Sequence, residues 1–147
     1  MIIKSDYENI LKIWKEHLWP NRVSKIETHS AMLLDKTYDM KNFEYEPTYF
    51  LYVVKDTIAG CNSGHMCADN TYRSRGLYVF SEFRHHGIGK ELLIETIKQG
   101  KKEKAKLVWS YPRQMSWTTY KNAGFKLISE WETSETSENN AYCSITL

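Results

Sequence analysis

The run Leu77-Tyr78-Val79-Phe80-Ser81-Glu82-Phe83-Arg84-His85-His86-Gly87-Ile88-Gly89-Lys90-Glu91-Leu92-Leu93 constrains this chain more than any other stretch. It passes from an aromatic, β-branched strand pattern through a glycine-rich loop into a one-faced helix pattern. At such a junction the first helical amides lack intrahelical acceptors and point toward one spot, at the positive end of the helix dipole. Gly87 and Gly89 tolerate unusual backbone angles and let an anion approach closely, while Arg84 and Lys90 add positive charge. The consequence is a site for phosphates. Taken alone, the glycines are equally well explained by a plain strand-to-helix turn. Spacing excludes two nucleotide motifs. A P-loop would need glycine where Arg84 stands and Ser or Thr where Glu91 follows Lys90, and the Gly-x-Gly-x-x-Gly of a dinucleotide fold is not present.

The 147 residues make one domain, 1–147, long enough for a real core. A formal charge of +2 argues against a large nucleic-acid footprint, and the basic cluster from Lys98 to Lys106 reads as a solvated helix end. No apolar run reaches the roughly 20 residues of a membrane span, and Met1-Ile2-Ile3-Lys4-Ser5-Asp6 is not a secretory leader. Cys61, Cys67 and Cys143 are odd in number and lack metal-ligand spacing, so they read as reduced, buried thiols of a cytoplasmic protein with no metal site.

Ser5-Asp6-Tyr7-Glu8 has the form of a capping box. The apolar spacing of Tyr7, Ile10, Leu11, Trp14 and Leu18 then predicts a helix that Pro20 stops. A second, shorter helix is expected over residues 27–36. Tyr49 to Val54, Ile58 to about Cys67 and Tyr72 to Phe80 form an antiparallel meander, with turns at Lys55-Asp56-Thr57 and Ala68-Asp69-Asn70. Gly87 to Lys102 is a helix carrying Ile88, Leu92, Leu93 and Ile97 on one face, and Lys106 to Trp109 a short buried strand. Met115 to Ala123 is a short helix that Gly124 ends. Strands over Phe125 to Trp131 and Ala141 to Leu147 flank an acidic hairpin loop, Glu132 to Asn140. The order describes an α/β (α+β) domain: a mostly antiparallel mixed sheet of six or seven strands with about four helices.

The loop and its surroundings resemble the GNAT superfamily of N-acetyltransferases. Its acyl-CoA signature, Arg/Gln-x-x-Gly-x-Gly/Ala at a helix start, corresponds to Arg84-His85-His86-Gly87-Ile88-Gly89. The strand end Val79-Phe80-Ser81-Glu82-Phe83-Arg84 matches the family's Val-x-Pro-Glu-Tyr-Arg-like stretch, with Ser81 for the usual proline. Downstream, Tyr120-Lys121-Asn122-Ala123-Gly124-Phe125 has the family's Tyr-x-x-x-Gly-Phe form. The element order agrees from Ser5 to Leu147.

The resemblance implies acetyl-CoA as co-substrate. Backbone groups of Leu77, Tyr78 and Val79 would pair with the pantetheine arm and hold the thioester carbonyl, and the pyrophosphate would sit on the amides of His86, Gly87, Ile88, Gly89 and Lys90, with Arg84 and His85 beside it. A substrate amine would attack the thioester directly, and Tyr120 would protonate the departing thiolate, as a phenol with an ordinary pKa of about 10 can. His65, Asp69 or an ordered water chain would deprotonate the amine; Glu82 belongs to the loop and faces solvent. Arg113 stands where relatives carry a cofactor-contacting asparagine, Ser116 and Thr119 make the following helix polar, and the first strand is short enough for a homodimer partner to complete the sheet edge.

The acceptor would enter over the first two helices and the last hairpin, near Trp14, Trp19, Tyr38 and Trp117. There Glu130, Glu132, Glu135 and Glu138 would attract a cationic amine, or form a merely solvated loop. A small-molecule amine, an amino acid, an antibiotic and a protein amine all remain open. The competing reading is an acyl-CoA-binding module or sensor without turnover.

Overall fold

The computed structural model describes residues 1–133 and 139–147. Strand β1 (Ile2–Ser5) pairs antiparallel with β2 (Thr48–Val54), placing Ser5 opposite Tyr49. Helix α1 (Tyr7–Ile13) therefore starts one residue later than the capping-box reading has it. Asp6, extended at φ −127°, is the cap, its Oδ1 accepting from the Asn9 amide at 3.0 Å. Ser5 is held in the strand by its pairing, and its hydroxyl accepts from the Asn9 side chain rather than from a helical amide. The expected helix continues as a wider π turn, Trp14–Leu18, in which the Trp19 amide reaches back to the Trp14 carbonyl. Its apolar stripe is buried at Ile10, Ile13 and Trp14.

The helix expected over 27–36 does not form. The segment is a series of bends followed by a 3-10 turn at Met40–Glu44. Side chains claim its backbone: buried Asn42 donates to the carbonyls of Ser30 and Met32, His65 Nε2 accepts from the Ser30 amide, and Asp35 accepts from the Thr37 amide. These bonds compete with a helical ladder. Residues 32–34 instead lay Met32, Leu33 and Leu34 over Trp109 and Tyr142.

The meander forms as β2, β3 (Thr57–Met66) and β4 (Tyr72–Val79). Lys55 and Asp56, at φ 47° and 64°, make the tight turn between the first two. Helix α2 (Ile88–Lys102) comes next, then β5 (Leu107–Ser110), a 3-10 turn, and α3 (Trp117–Asn122), which ends at Gly124 with φ 108°. The C-terminal strands are shorter than expected: β6 (Lys126–Leu127), β7 (Glu132–Thr133), β8 (Asn139–Asn140) and β9 (Cys143–Thr146). Phe125 turns into the core, and the Ser129 hydroxyl takes the Tyr142 amide, which breaks the longer ladder. Of the acidic hairpin loop, residues 134–138 lie outside the described residues, Glu135 and Glu138 among them.

The seven-stranded sheet runs β1-β2-β3-β4-β5-β9-β6, with β7 and β8 paired beside it. Strand alternation sorts the core onto its two faces. Tyr49, Leu51 and Cys61 meet Ile10, Ile13 and Trp14 on the α1 side, while Phe50 and Ala59 meet Ile88 and Leu92 on the α2 side. The three cysteines are buried free thiols, and burial raises each pKa, to about 11 for Cys67 and about 12 for Cys61 and Cys143. No helix among the described residues is long and apolar enough to cross a membrane.

Candidate active site

Strands β4 and β5 run parallel but pair only at Tyr72 with Val108 and Arg73 with Trp109. A last tie, from the Ser110 hydroxyl to the Ser74 carbonyl at 2.8 Å, closes the fork. Beyond it the β5-facing edge of β4 has no strand partner through Val79, among the described residues.

A bulge lies just past the fork. Cys61 pairs with Tyr78 and Ser63 with Arg75, so Asn62 stands opposite both Gly76 and Leu77. Gly76 sits at φ 81° and its carbonyl accepts from Trp14 Nε1 at 2.9 Å. A Cβ there would fall 2.3 Å from the indole nitrogen, so only glycine fits. The bulge re-aims the last residues of the strand. Leu77 and Val79 pack toward Ile88 and Leu92 under α2, and Tyr78 turns toward the rings of His17 and Phe80. Since the Phe80 amide donates to Ala59 on β3, the peptide groups of Val79 face the open side.

The chain then makes a 3-10 turn at Ser81–Phe83 and crosses to α2. His85 (φ 67°) and Gly87 (φ 79°) adopt left-handed angles where the backbone turns into α2, whose first turn lies against Leu77 and Val79 at Gly89. The first intrahelical bond is from the Glu91 amide to Gly87, leaving the amides of Ile88, Gly89 and Lys90 without an acceptor among the described residues. Gly87 has open space where a side chain would begin. Gly89 does not: a Cβ there would stand 2.9 Å from Thr119 Cγ2, so this glycine lets α3 close onto α2. The Ile88 side chain belongs to the core and offers only its amide. His85, His86 and Lys90 are exposed. Arg84 folds back, its Nε donating to the Val79 carbonyl at 2.9 Å and its guanidinium lying over the Tyr78 ring.

Tyr120, one residue past Thr119, is 4% exposed and edge-on to Phe125 at 5.5 Å. Its hydroxyl faces Ser110, the residue that closes the fork, and burial holds its pKa well above the phenol range. The phenol therefore stays protonated beside the fork, which suits a proton donor.

The residues considered as a base are engaged elsewhere. His65 is fully buried, with Nδ1 donating to the Met66 carbonyl and Nε2 accepting from Ser30, and burial pushes its pKa well down. Asp69 accepts from both the amide and the hydroxyl of Thr71 and shapes the β3–β4 turn. Glu82 is exposed and accepts from the neighbouring Ser81 hydroxyl. Among the described residues no group of three or more His, Cys, Asp or Glu side chains is arranged to hold a metal ion.

Two side chains on the α1 side of β4, Arg73 and Arg75, carry no motif that marks them in the sequence, yet both are buried beside the fork. The signal available for them is Arg-Ser-Arg inside a strand otherwise built of Tyr, Leu and Val, two cations at period two on one face.

The family model "Acetyltransferase (GNAT) family" matches residues 11–125. No curated protein sequence matches the chain. Among solved structures, an aminoglycoside 6'-N-acetyltransferase in complex with coenzyme A aligns over 99% of this chain and 96% of its own, with a TM-score of 0.71 at 12% identity. A ribosomal-protein-alanine N-acetyltransferase from Brucella melitensis aligns over 100% and 99%, with a TM-score of 0.69 at 14% identity. A GNAT-family acetyltransferase from Staphylococcus aureus Mu50 covers 100% and 98%, with a TM-score of 0.65 at 20% identity. At these identities the structures share the fold alone; the sequence-level family match spans more than three quarters of the chain, and on that ground the protein belongs to the acetyltransferase (GNAT) family.

Proposed function

We propose that the protein transfers an acetyl group from acetyl-CoA to a primary amine by direct attack. The observation that carries this reading is the open edge of β4 running straight into the acceptor-free amides of α2. A pyrophosphate fits the amides of His86 to Lys90, where the helix dipole favours negative charge. Arg84, held against Val79, and the exposed Lys90 supply positive charge at its rim. An extended pantetheine arm fits the open edge as a surrogate strand beside Leu77, Tyr78 and Val79, which sets the thioester near the bulge and the fork.

The neutral amine attacks the thioester carbonyl carbon, the resulting oxyanion is stabilised by a backbone amide of β4, and collapse breaks the carbon–sulfur bond. Tyr120 gives its proton to the departing thiolate. The amine's extra proton leaves through ordered water and restores the Tyr120 phenol, because His65 and Asp69 are committed to structural hydrogen bonds. The product is an amide, and no covalent enzyme intermediate is needed. We assign the protein to the cytoplasm on its three unpaired thiols. The commitment of His65 and Asp69 is also what favours the second reading, a module that binds acyl-CoA without turnover.

Comparing acetyl-CoA with acetylpantetheine, which lacks the pyrophosphate, tests the donor site. Calorimetry is expected to give far tighter binding of acetyl-CoA, and Gly87→Val is expected to collapse that difference. Equal affinities in the native protein would overturn the assignment of the loop.

A further inference from the structure

Arg73 and Arg75 are 8% and 6% exposed, on the same face of the central strand. Neither forms an ion pair with a carboxylate among the described residues, whose ion pairs all involve lysine or histidine. Arg75 Nη1 donates to the Glu27 carbonyl at 2.9 Å, and its guanidinium lies 4.9 Å and 5.2 Å from the rings of Trp14 and Trp19. Arg73 stacks 4.4 Å from Trp109, donates from Nε to the Ser74 carbonyl, and keeps a buried Nη1 with no partner. The charged or titratable groups that act on this pair are other arginines, phenols, thiols and the buried His29 and His65, with no carboxylate among them. Two guanidinium ions have thus been taken out of water side by side with no counter-anion among the described residues, an arrangement that costs stability.

Resting on the acetyl-transfer reading, we propose that this pair recognises an anionic group on the acceptor, so that the substrate is an amine that also carries a carboxylate or a phosphate. A guanidinium fork matches either oxyanion in a bidentate manner, and the indole walls hold each fork in plane. The donor's own diphosphate cannot fill this role. About 13 Å of strand separates Arg75 from Val79, and the open amides of α2 lie beyond that. Arg73 also adjoins the fork that Tyr120 faces, so an anion held there brings a nearby amine to the thioester end. The inference reverses the attraction of cationic amines expected from the last hairpin, where Glu132 is already paired with Lys36.

The test uses matched amines that differ only in the anion: an amino acid against its amide, and phosphoethanolamine against ethanolamine. Thiol release from acetyl-CoA is expected to favour the anionic member of one pair by about tenfold or more in kcat/KM, and which pair responds separates carboxylate from phosphate. Arg73→Met and Arg75→Met are expected to erase that preference through KM while acetyl-CoA affinity stays unchanged. Arg73→Lys, which keeps the charge but not the fork, is expected to retain part of it. Arg73→Met is also expected to melt no lower than the native protein, since it removes a buried unpaired charge; a purely structural arginine would give the opposite. Absence of preference in both pairs, or a preference that survives both Met substitutions, overturns the inference. If no amine releases thiol, the acetyl-transfer reading fails by itself. The inference is then decided by whether free amino acid or inorganic phosphate raises the melting temperature of the native protein and not of Arg73→Met.

Discussion

The two sides of the β4 fork are built from different materials. The proposed donor side, Val79 to Lys90, is mostly backbone: a strand end, two left-handed residues and three amides without acceptors among the described residues. The proposed acceptor side is mostly side chain, with Trp14 and Trp19 from the first helical segment, Arg73 and Arg75 from β4, and Trp109 from β5. Backbone devices need glycine at fixed spacing and can be read from one short run. Side-chain devices assemble residues distant in sequence and depend on the particular substrate. The glycines on the two sides differ accordingly: Gly76 has Trp14 against it, whereas Gly87 opens on empty space.

That contrast sets the largest expected effect. Gly76→Val meets both a positive φ and the Trp14 indole, and is expected to cost about 3 kcal/mol or more, measured by denaturant unfolding. Gly87→Val, with backbone strain but no clash, is expected to cost only about 1–2 kcal/mol while weakening acetyl-CoA binding at least about tenfold. Equal destabilisation by the two would erase the distinction between the sides. Gly89→Val falls between them, because it drives against Thr119 and loosens α3 together with the cradle. Next in size, Tyr120→Phe is expected to lower kcat about a hundredfold with the acetyl-CoA dissociation constant unchanged. Single-turnover rates at native level would return Tyr120 to a packing role.

The smallest effect is pH dependence. Burial depresses the pKa of His65, and of His29 beside it, below the ordinary 6.5. The unfolded chain then binds protons that the folded one refuses, so this contribution to stability is present above pH 6.5 and lost as pH falls below it. Urea midpoints should fall between about pH 7.5 and 5.5, and less steeply in a His65→Gln variant; a flat profile would contradict the buried, neutral pair.

Much of the fold was legible because it stems from local periodicity. The Ile10–Trp14 stripe, the meander with its turn at Lys55-Asp56, the face of α2 and the stop at Gly124 all stand where the pattern puts them. Elements decided by distant side chains were not. Residues 27–36 are expected to be helical, but Asn42 and His65 take their backbone groups from elsewhere in the chain. The cap moved from Ser5 to Asp6 because pairing with Tyr49 commits Ser5 to the strand. The same reason hid the arginines: Arg73 and Arg75 look like ordinary strand charges until Trp14, Trp19 and Trp109 are folded over them. Within the candidate site, the glycines and Tyr120 were visible as a spaced motif, whereas the engagement of Arg84 with Val79 and of His65 with Ser30 depends on tertiary contacts.

The most direct test of acetyl transfer at the fork is thiol release from acetyl-CoA, measured with and without an amine and matched against the acetylated product. Release is expected to require the amine, to equal product mole for mole, and to fall with Tyr120→Phe. Tight acetyl-CoA binding with no amine-dependent thiol release, across anionic, neutral and cationic amines alike, would contradict acetyl transfer at this site.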